Sequence, residues 1–352
     1  MGNGPTLADL GEWELIRRLG AFAPPGQFAD DAAVLGAGGS DTLVINTDVL
    51  VEDLHFSDTT TEAGDVGWRA AVANLSDLAA MGCTEVVGLT VGLVAPASTP
   101  WRWVEGVYGG IAEALATYGG VLLGGDCSGG LQRLLAITAI GRMAPTPQAA
   151  IPMASPGTEP ARDPPNTIRR GDGRVGDWLV SSGPHGLSRL GLALLQDPEG
   201  PLAGRVCGQL AERAIQAHRR PRARLDAARA LNASRPAGVP WRVGGCDSSD
   251  GLAAAVAAVA AASGCGARLH SDALPLDPAM AALAEGEGWC LGGGEDFELV
   301  VALEPAWAEA LVAALPGSGV IGALVAGTGG EVRWSGDDGG EPIAMEGYRH
   351  FG

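Results

Sequence analysis

Three apolar runs of this chain end in aspartates that stand beside glycine or hydroxyl residues. LVINTD reaches Asp48, VLLGGD reaches Asp126, and VGGCDSSD carries Asp247 and Asp250. Short apolar runs of this kind are typical of buried β-strands. Open sheets place ligand chemistry where strands meet Gly-rich turns, and glycine lets backbone approach a phosphate closely. The pattern therefore predicts a sheet whose strand ends carry an acidic functional site.

Strand-like and helix-like segments alternate in both halves of the chain, and a Pro-, Ala- and Ser-rich stretch separates the halves. We expect a mixed α/β (α+β) fold of two domains, 1–142 and 169–352, joined by a linker or loop at 143–168. The predicted strands lie within 41–48, 86–94, 121–126, 134–142, 176–183, 241–247, 267–272 and 297–303, and the predicted helices are 66–81, 101–118, 187–195, 218–231 and 251–263.

The predicted helix 66–81 carries a polar pair in an apolar setting. Asn74 and Asp77 are three residues apart and share one face, although their neighbours are Ala, Val, Leu and Met. Polar groups on an apolar helix must find partners or they lower the stability of the fold. Two interpretations stay open here, a buried hydrogen-bonded pair and a carboxylate directed at metal ions.

A charge estimate shows what a cluster of these acids would require. If five carboxylates converge to separations of about 6 Å, each like-charge pair costs about 3 kcal/mol at an effective dielectric constant near 20. The total, on the order of 30 kcal/mol, exceeds the roughly 5–15 kcal/mol that keeps a typical domain folded. Such a cluster must take up protons or bind cations, and oxygen ligands without nearby His or Cys favour Mg²⁺. The five carboxylates are Asp31, Asp48, Asp77, Asp126 and Asp247.

The positive residues exclude several mechanisms. All 23 are arginine, so P-loop NTPases, protein kinases and Schiff-base enzymes, which need a lysine, are excluded. The net charge of −18 argues against a nucleic-acid partner, because binding to a phosphate backbone needs basic patches. An acidic chain can still bind nucleotides when metal ions stand between the two sets of anions.

The sequence indicates neither a membrane partner nor secretion. No apolar run approaches the length of about 18 residues that a membrane span needs, and the N-terminal segment lacks the pattern of a signal peptide. The six cysteines form no C-x-x-C pair and no zinc spacing. We therefore expect reduced thiols in a cytoplasmic protein.

Two more motifs accompany the acids. GGGED (292–296) is a Gly-rich acidic turn before an apolar run, and His55 follows the LVINTD run closely in VEDLHF. The position of His55 near Asp48 makes it a candidate for contacting an anionic substrate, with a structural role as the alternative.

The ordered motifs resemble those of thiamine-monophosphate kinases, a family in the superfamily of aminoimidazole ribonucleotide synthetase. The resemblance spans roughly residues 11–350 and implies that the γ-phosphate of ATP moves onto the phosphate of thiamine monophosphate, giving thiamine diphosphate. It also implies a homodimer in which N-terminal strands pair across the dimer to form a barrel, with the active site in the cleft between the N-terminal and C-terminal domains. The motifs are GEWELIRRL, DDAAVL, NTDVLVEDLHF, NLSDLAAMG, LLGGD, GDW, DSSDGL and GGEDFEL.

The same resemblance implies roles for individual residues, with Mg²⁺ as cofactor and ATP as co-substrate. The implied metal set is Asp31, Asn46, Thr47, Asp48, Asp77, Asp126, Asp247 and Asp250; the implied nucleotide contacts are Gly125, Asp126, Arg170 and Ser249; the implied substrate contacts are His55, Glu295, Met345 and Tyr348. Arg170 would supply the positive charge that other kinases take from lysine, and no phosphoenzyme is expected because in-line transfer needs only positioning and charge neutralisation.

The chain departs from the family pattern at several positions. Ala29 stands where glycine is usual, Asn46 replaces Ser or Thr, and Met345 holds the place of an aromatic residue, for which Tyr348 can compensate. The segment 143–167 is longer than the family pattern and is interpreted as a solvated insertion or as a lid beside Arg170. The alternatives in function are another ATP-using enzyme of the superfamily and a non-catalytic protein that binds metal or nucleotide.

Overall fold

A computed structural model describes residues 6–26, 28–35, 42–143, 166–206, 208–336 and 340–343. The predicted substrate contacts Met345 and Tyr348 lie outside these residues, as does the stretch 144–165 of the predicted linker.

The N-terminal half is built on a five-stranded sheet in the order β1-β2-β5-β3-β4, in which neighbours are antiparallel except for the parallel pair β3 and β4. Its strands are β1 Ala33–Leu35, β2 Leu43–Val51, β3 Cys83–Ala95, β4 Val121–Gly129 and β5 Leu134–Met143. Its helices are α1 Leu7–Leu19, α2 Ala63–Ala80 and α3 Trp101–Tyr118. β4 forms one edge of the sheet and is exposed along its whole length.

The C-terminal half is built on a six-stranded sheet in the order β11-β8-β10-β6-β9-β7, with β7 at one edge. Its strands are β6 Trp178–Ser181, β7 Gly244–Asp247, β8 Gly266–Leu269, β9 Leu299–Leu303, β10 Gly319–Val325 and β11 Val332–Trp334. Its helices are α4 Leu187–Gln196, α5 Pro201–Arg205, α6 Gly208–Arg219, α7 Leu225–Ser234, α8 Leu252–Ala262, α9 Gly286–Gly292 and α10 Pro305–Ala314. The two sheets with their helices confirm the predicted mixed α/β fold.

One hydrophobic core crosses from the first half into the second. Leu75 and Leu78 of α2 belong to the same buried cluster as Leu231 of α7 and Trp307 of α10. The indole of Trp307 also donates a hydrogen bond to the carbonyl of Leu231 at 3.2 Å. Because α2 is buried between the N-terminal sheet and the second half, polar side chains on it face the junction of the two halves.

Two expectations about element boundaries are wrong. Asp48 and Asp126 lie inside β2 and β4 rather than at strand ends, because the residues that follow continue the ladders with β5 and β3. The predicted helix 218–231 is divided between α6 and α7, with Pro221 in the connection, where its missing N–H and fixed φ disfavour a helix interior. The aspartates therefore project from strand faces as well as from a strand end.

Among the described residues, none of the helices combines the length and the apolar character needed to cross a membrane.

Candidate active site

Helix α2 presents its polar side chains to a group of aspartates. Asn74 is fully buried; its Oδ1 accepts the backbone N–H of Asp48 at 3.1 Å, and its Nδ2 donates to the carbonyl of Ala70 at 2.9 Å. On β2, Asn46 donates from Nδ2 to Oδ2 of Asp77 at 2.7 Å. Both earlier interpretations of the Asn74 and Asp77 pair are therefore compatible with the structure, since Asn74 is a buried hydrogen-bonding group and Asp77 faces other acids.

The end of β7 brings Asp247 against α2. Oδ2 of Asp247 accepts the hydroxyl of Ser76 at 2.7 Å, and Oδ1 accepts the hydroxyl of Ser249 at 2.9 Å. Asp247 is 7% exposed, so its carboxylate is held between the two halves. Asp250 follows in the same turn, and its charge is one of those that raise the pKa of the neighbouring Cys246 thiol.

The N-terminal acids approach from the segment before β1. Asp31 forms an ion pair with Nη2 of Arg170, and Asp30 accepts the backbone N–H of Arg170 at 2.9 Å. The side chain of Asp31 is 4% exposed. Arg170 thus ties the start of the second half to the acids of the first.

Burial and repulsion by neighbouring carboxylates make Asp31 and Asp77 hard to ionise. Burial is the largest cause that raises the pKa of Asp77 well above its ordinary value, and the negative charges of Asp48, Asp247 and Asp31 add to the increase. Burial raises the pKa of Asp31 to about 7, with Arg170 opposing the shift and Asp247 adding to it. Asp31, Asp48, Asp77 and Asp247 therefore form one electrostatically coupled group, here called the acid cluster, which is stabilised by protons or by cations.

The residues present fit a hard divalent cation. Oδ2 of Asp31 and Oδ1 of Asn46 are buried acceptors that have no hydrogen-bond partner within the described structure. Uncompensated buried oxygens of this kind are costly unless a cation or a water reaches them. Within the described residues, no group of three or more His, Cys, Asp or Glu side chains is placed so that it could hold a metal ion without further ligands or movement. Mg²⁺ generally takes few carboxylates and completes its shell with waters and substrate phosphates.

The structure shows the local surroundings of two further predicted site residues, Thr47 and His55. Thr47 alternates to the opposite face of β2 from Asn46 and Asp48, where its hydroxyl lies 2.8 Å from that of Thr138. His55 lies in the turn after β2, where Nδ1 accepts the backbone N–H of Val51 at 3.0 Å.

Gly125 and Asp126 lie on the exposed edge strand β4. A Cβ on Gly125 would stand 1.9 Å from the carbonyl oxygen of Val91, so the close approach of β4 to β3 requires glycine at this position.

The GGGED turn lies beside the turn that carries Asp247. The backbone N–H of Glu295 donates to the carbonyl of Ser249 at 2.7 Å, and the Glu295 carboxylate pairs with Arg69 of α2 at 2.5 Å. Asp296 accepts the N–H groups of Gly186 and Ser188 at 2.7 and 3.1 Å and so caps the N-terminus of α4.

Sequence reasoning missed Ser76, Arg69 and Asp296 as partners of the site. Arg69 and Ser76 are polar residues on the same apolar helix as Asp77, and that signal could have identified them. Asp296 belongs to the GGGED motif, but its role as a helix cap had no local signal, because capping across such a distance depends on the tertiary fold.

Comparison with known proteins places the chain in a family. Residues 29–143 match the AIR synthase related protein N-terminal domain, and residues 174–335 match the corresponding C-terminal domain. Thiamine-monophosphate kinase of Prochlorococcus marinus is 42% identical over 345 residues, covering 98% of this chain and 97% of that protein. The Synechococcus elongatus thiamine-monophosphate kinase is 41% identical over 352 residues, covering 98% of each chain.

A solved structure described as AaThiL complexed with AMPPCP and TMP superposes with a TM-score of 0.79 at 25% identity, covering 99% of this chain and 100% of that one. With matches of this length and identity across both halves, the chain belongs to the thiamine-monophosphate kinase family of AIR synthase related proteins.

Proposed function

We propose that this protein transfers the γ-phosphoryl group of ATP to the phosphate of thiamine monophosphate, forming thiamine diphosphate and ADP. The acid cluster at the junction of the halves is the observation that carries the proposal, because it combines coupled carboxyl groups with buried oxygens that lack partners. The names of the two bacterial relatives and the related AaThiL complex support the same substrates.

The cofactor in this proposal is Mg²⁺, more than one ion being held by the acids. Asp31, Asp77 and Asp247 would supply carboxylate oxygens and Asn46 an amide oxygen, with the remaining proposed ligands contributed by Asp48, Asp126 and Asp250. The Thr47 side chain faces the other side of β2 and is not among them. Bound Mg²⁺ would neutralise charge on the phosphates of the substrates.

The residues of the chain position the reactants for direct transfer. An oxygen of the acceptor phosphate attacks the γ-phosphorus in line, the bond from that phosphorus to the β–γ bridging oxygen breaks, and ADP leaves. The acceptor is already an anion at neutral pH, so the step needs no strong general base. Cys246 is not placed to act as a nucleophile, because burial raises the pKa of its thiol well above the ordinary value.

Arg170 is proposed to face the nucleotide, because its side chain is 27% exposed and its Nε has no hydrogen-bond partner in the described structure. Gly125, Asp126 and Ser249 are the other proposed nucleotide contacts. His55 and Glu295 are proposed for the acceptor, together with Met345 and Tyr348 from the residues outside the described structure.

A homodimer is part of the proposal. The edge strand β4 exposes Val121, Leu122 and Leu123, with exposed fractions of 58%, 45% and 47%. An apolar sheet edge with unpaired backbone groups is a template for another strand, and β4 also carries Gly125 and Asp126. Pairing of N-terminal sheets in a dimer would cover this edge and place those residues at the interface, in a protein that we expect in the cytoplasm.

The test is a turnover assay with purified protein, MgCl₂, ATP and thiamine monophosphate, followed by chromatography. We expect equal amounts of thiamine diphosphate and ADP, and neither product after chelation of Mg²⁺ with EDTA. Folded protein that makes no thiamine diphosphate at saturating substrate concentrations would overturn the proposal. ADP release without thiamine diphosphate would indicate a different acceptor.

A further inference from the structure

An ion pair between Arg69 and Glu295 connects the buried helix α2 to the GGGED turn. Nη2 of Arg69 lies 2.5 Å from Oε1 of Glu295, and Nη1 donates to the carbonyl of His218. The Arg69 side chain is 3% exposed, whereas the Glu295 side chain is 35% exposed. The buried Arg69 guanidinium therefore holds the Glu295 carboxylate at a position that solvent can reach.

The backbone fixes the same carboxylate from a second side. Glu295 has φ of 58° and Phe297 has φ of 53°, a region that L side chains other than Asn and Asp adopt rarely. The N–H of Glu295 is bound to the carbonyl of Ser249 at 2.7 Å, next to Asp247 in the acid cluster. Such unusual backbone persists where the surroundings hold it, and it is concentrated at functional sites.

The other two acidic residues of 295–298 already make structural contacts. Asp296 caps α4, and the buried Glu298 is paired with Arg224. Within the described part of the chain, Oε2 of Glu295 makes no hydrogen bond and lies 3.7 Å from Nδ1 of His218. Burial is the main cause that lowers the pKa of His218 to about 3, and the positive charge of Arg69 contributes in the same direction. The imidazole is therefore neutral and forms no ion pair with Oε2 of Glu295.

We propose that Arg69 is a positioning residue for the acceptor: it aims the Glu295 carboxylate and cancels its charge, so that Oε2 binds a cationic or amino group of the substrate. The proposal rests on the proposed function, in which Glu295 contacts thiamine monophosphate. That acceptor carries a thiazolium cation and an aminopyrimidine in addition to its phosphate, so it offers both kinds of group.

Electrostatics explains why the carboxylate needs a partner. An unpaired Glu295 beside the acid cluster would repel an anionic phosphate as well as attract a cation. With Arg69 attached, the pair is neutral overall while Oε2 can still accept a hydrogen bond. Removal of Arg69 would therefore weaken acceptor binding through the charge left on Glu295, and removal of that charge would reverse this part of the loss.

The experiment compares Arg69→Met, Arg69→Lys, Glu295→Gln and the double variant Arg69→Met/Glu295→Gln, each first shown to be folded by circular dichroism. We expect Arg69→Met to raise KM for thiamine monophosphate about tenfold and to leave KM for ATP within about twofold. Arg69→Lys should recover most of the affinity. In the double variant KM should equal that of Glu295→Gln alone.

Arg142→Met is the matched control, because Arg142 pairs with Glu85 on an exposed part of the N-terminal sheet, and it should change neither KM. Equal increases in both KM values, an unchanged KM, or additive effects in the double variant would overturn the proposal. If Arg69→Met does not fold, Arg69→Lys decides: it keeps the charge but cannot contact Glu295 and the His218 carbonyl with two separate nitrogens. It should therefore raise KM for thiamine monophosphate slightly and leave KM for ATP unchanged, and an equal change in both KM values would overturn the proposal.

Calorimetric titration of the same variants with thiamine monophosphate, without ATP, separates the two proposals. A wild-type protein that binds thiamine monophosphate without forming product would overturn the proposed function, and the binding constants would still test Arg69. Wild-type protein that shows turnover, combined with unchanged acceptor binding in Arg69→Met, would overturn only the role of Arg69.

Discussion

The hydroxyl of Ser76 on α2 donates a hydrogen bond to Oδ2 of Asp247 at 2.7 Å. Ser76 is fully buried and belongs to the N-terminal half, whereas Asp247 ends β7 at the edge of the C-terminal sheet. The other oxygen of Asp247 accepts from Ser249. This carboxylate is therefore oriented by donors from both halves, and the acid cluster is complete only when the halves are docked.

Replacing Ser76 with alanine should reduce both stability and turnover. The change leaves Oδ2 of the largely buried Asp247 without its donor, so we expect the free energy of unfolding to fall by about 1–3 kcal/mol. Denaturant titration and the turnover assay measure the two effects. Thr117→Ala is the control, because Thr117 donates only to the carbonyl of Glu113 on an exposed face of α3; it should leave turnover unchanged. Full activity in Ser76→Ala would contradict the positioning of Asp247 by Ser76.

Asp77→Asn should abolish turnover without lowering stability in the absence of metal. The pKa of Asp77 is raised by burial and by Asp48, Asp247 and Asp31, so ionisation of Asp77 destabilises the native state as the pH rises, and asparagine avoids that cost. We expect turnover to fall by about a hundredfold or more. The gain in melting temperature on adding MgCl₂ should also shrink, as differential scanning fluorimetry at pH 8 would show.

Asp65→Asn serves as the matched control for Asp77→Asn. Asp65 also lies on α2, but it is ion-paired with Nε of Arg220 at 2.6 Å. Its loss should lower stability and leave the response to MgCl₂ intact. A large loss of metal-free stability in Asp77→Asn would instead mark Asp77 as a structural hydrogen-bonding residue.

Gly125→Ala should disrupt the edge of the N-terminal sheet. The new Cβ would stand 1.9 Å from the carbonyl oxygen of Val91, so β4 must separate from β3 at this point. We expect a loss of about 3 kcal/mol or more in stability, together with weaker ATP binding measured by calorimetry. Gly129→Ala, on the same strand with open space around its Cβ, should be tolerated. Unchanged ATP binding in a folded Gly125→Ala protein would argue against Gly125 as a nucleotide contact.

His185 should make stability fall in moderately acidic solution. Its ring is fully buried, Nε2 lies 2.9 Å from the Ser248 hydroxyl, and burial lowers the pKa to about 4 from the ordinary 6.5. Below pH 6.5 the unfolded chain takes up a proton that the native protein does not bind until about pH 4. The free energy of unfolding therefore decreases as the pH falls through this window, by about 3 kcal/mol in total, and is independent of His185 above it.

The pKa values of some other buried groups are raised rather than lowered, and these groups change stability with pH in the opposite direction. The contribution of His185 is therefore obtained as the difference between the wild-type protein and a variant without this histidine. Burial raises the pKa of Asp296 to about 7, which favours the native state at lower pH. Urea titrations of wild type and His185→Gln at pH 4, 5.5 and 7 would give the difference directly, since glutamine keeps an acceptor for Ser248 and does not titrate. Parallel pH dependence in the two proteins would contradict a buried neutral His185.

The sequence was sufficient to predict the mixed α/β fold with two sheet-containing halves and the polar character of α2. These features follow from local patterns: apolar runs, helical spacing, and residue types whose chemistry is independent of context. The absence of lysine excluded whole classes of kinase mechanism from composition alone.

The tertiary structure decided which of these residues meet. Strand alternation places Thr47 on the opposite face of β2 from Asn46 and Asp48. The ladders with β5 and β3 continue past Asp48 and Asp126, so these two residues lie inside strands. Because α2 is buried between the halves, Ser76 contacts Asp247 and Arg69 contacts Glu295. Contacts between distant segments depend on how sheets and helices pack, and no local pattern encodes that geometry. The aspartates are evident in the sequence, whereas the burial that raises the pKa of Asp31 and Asp77 results from packing.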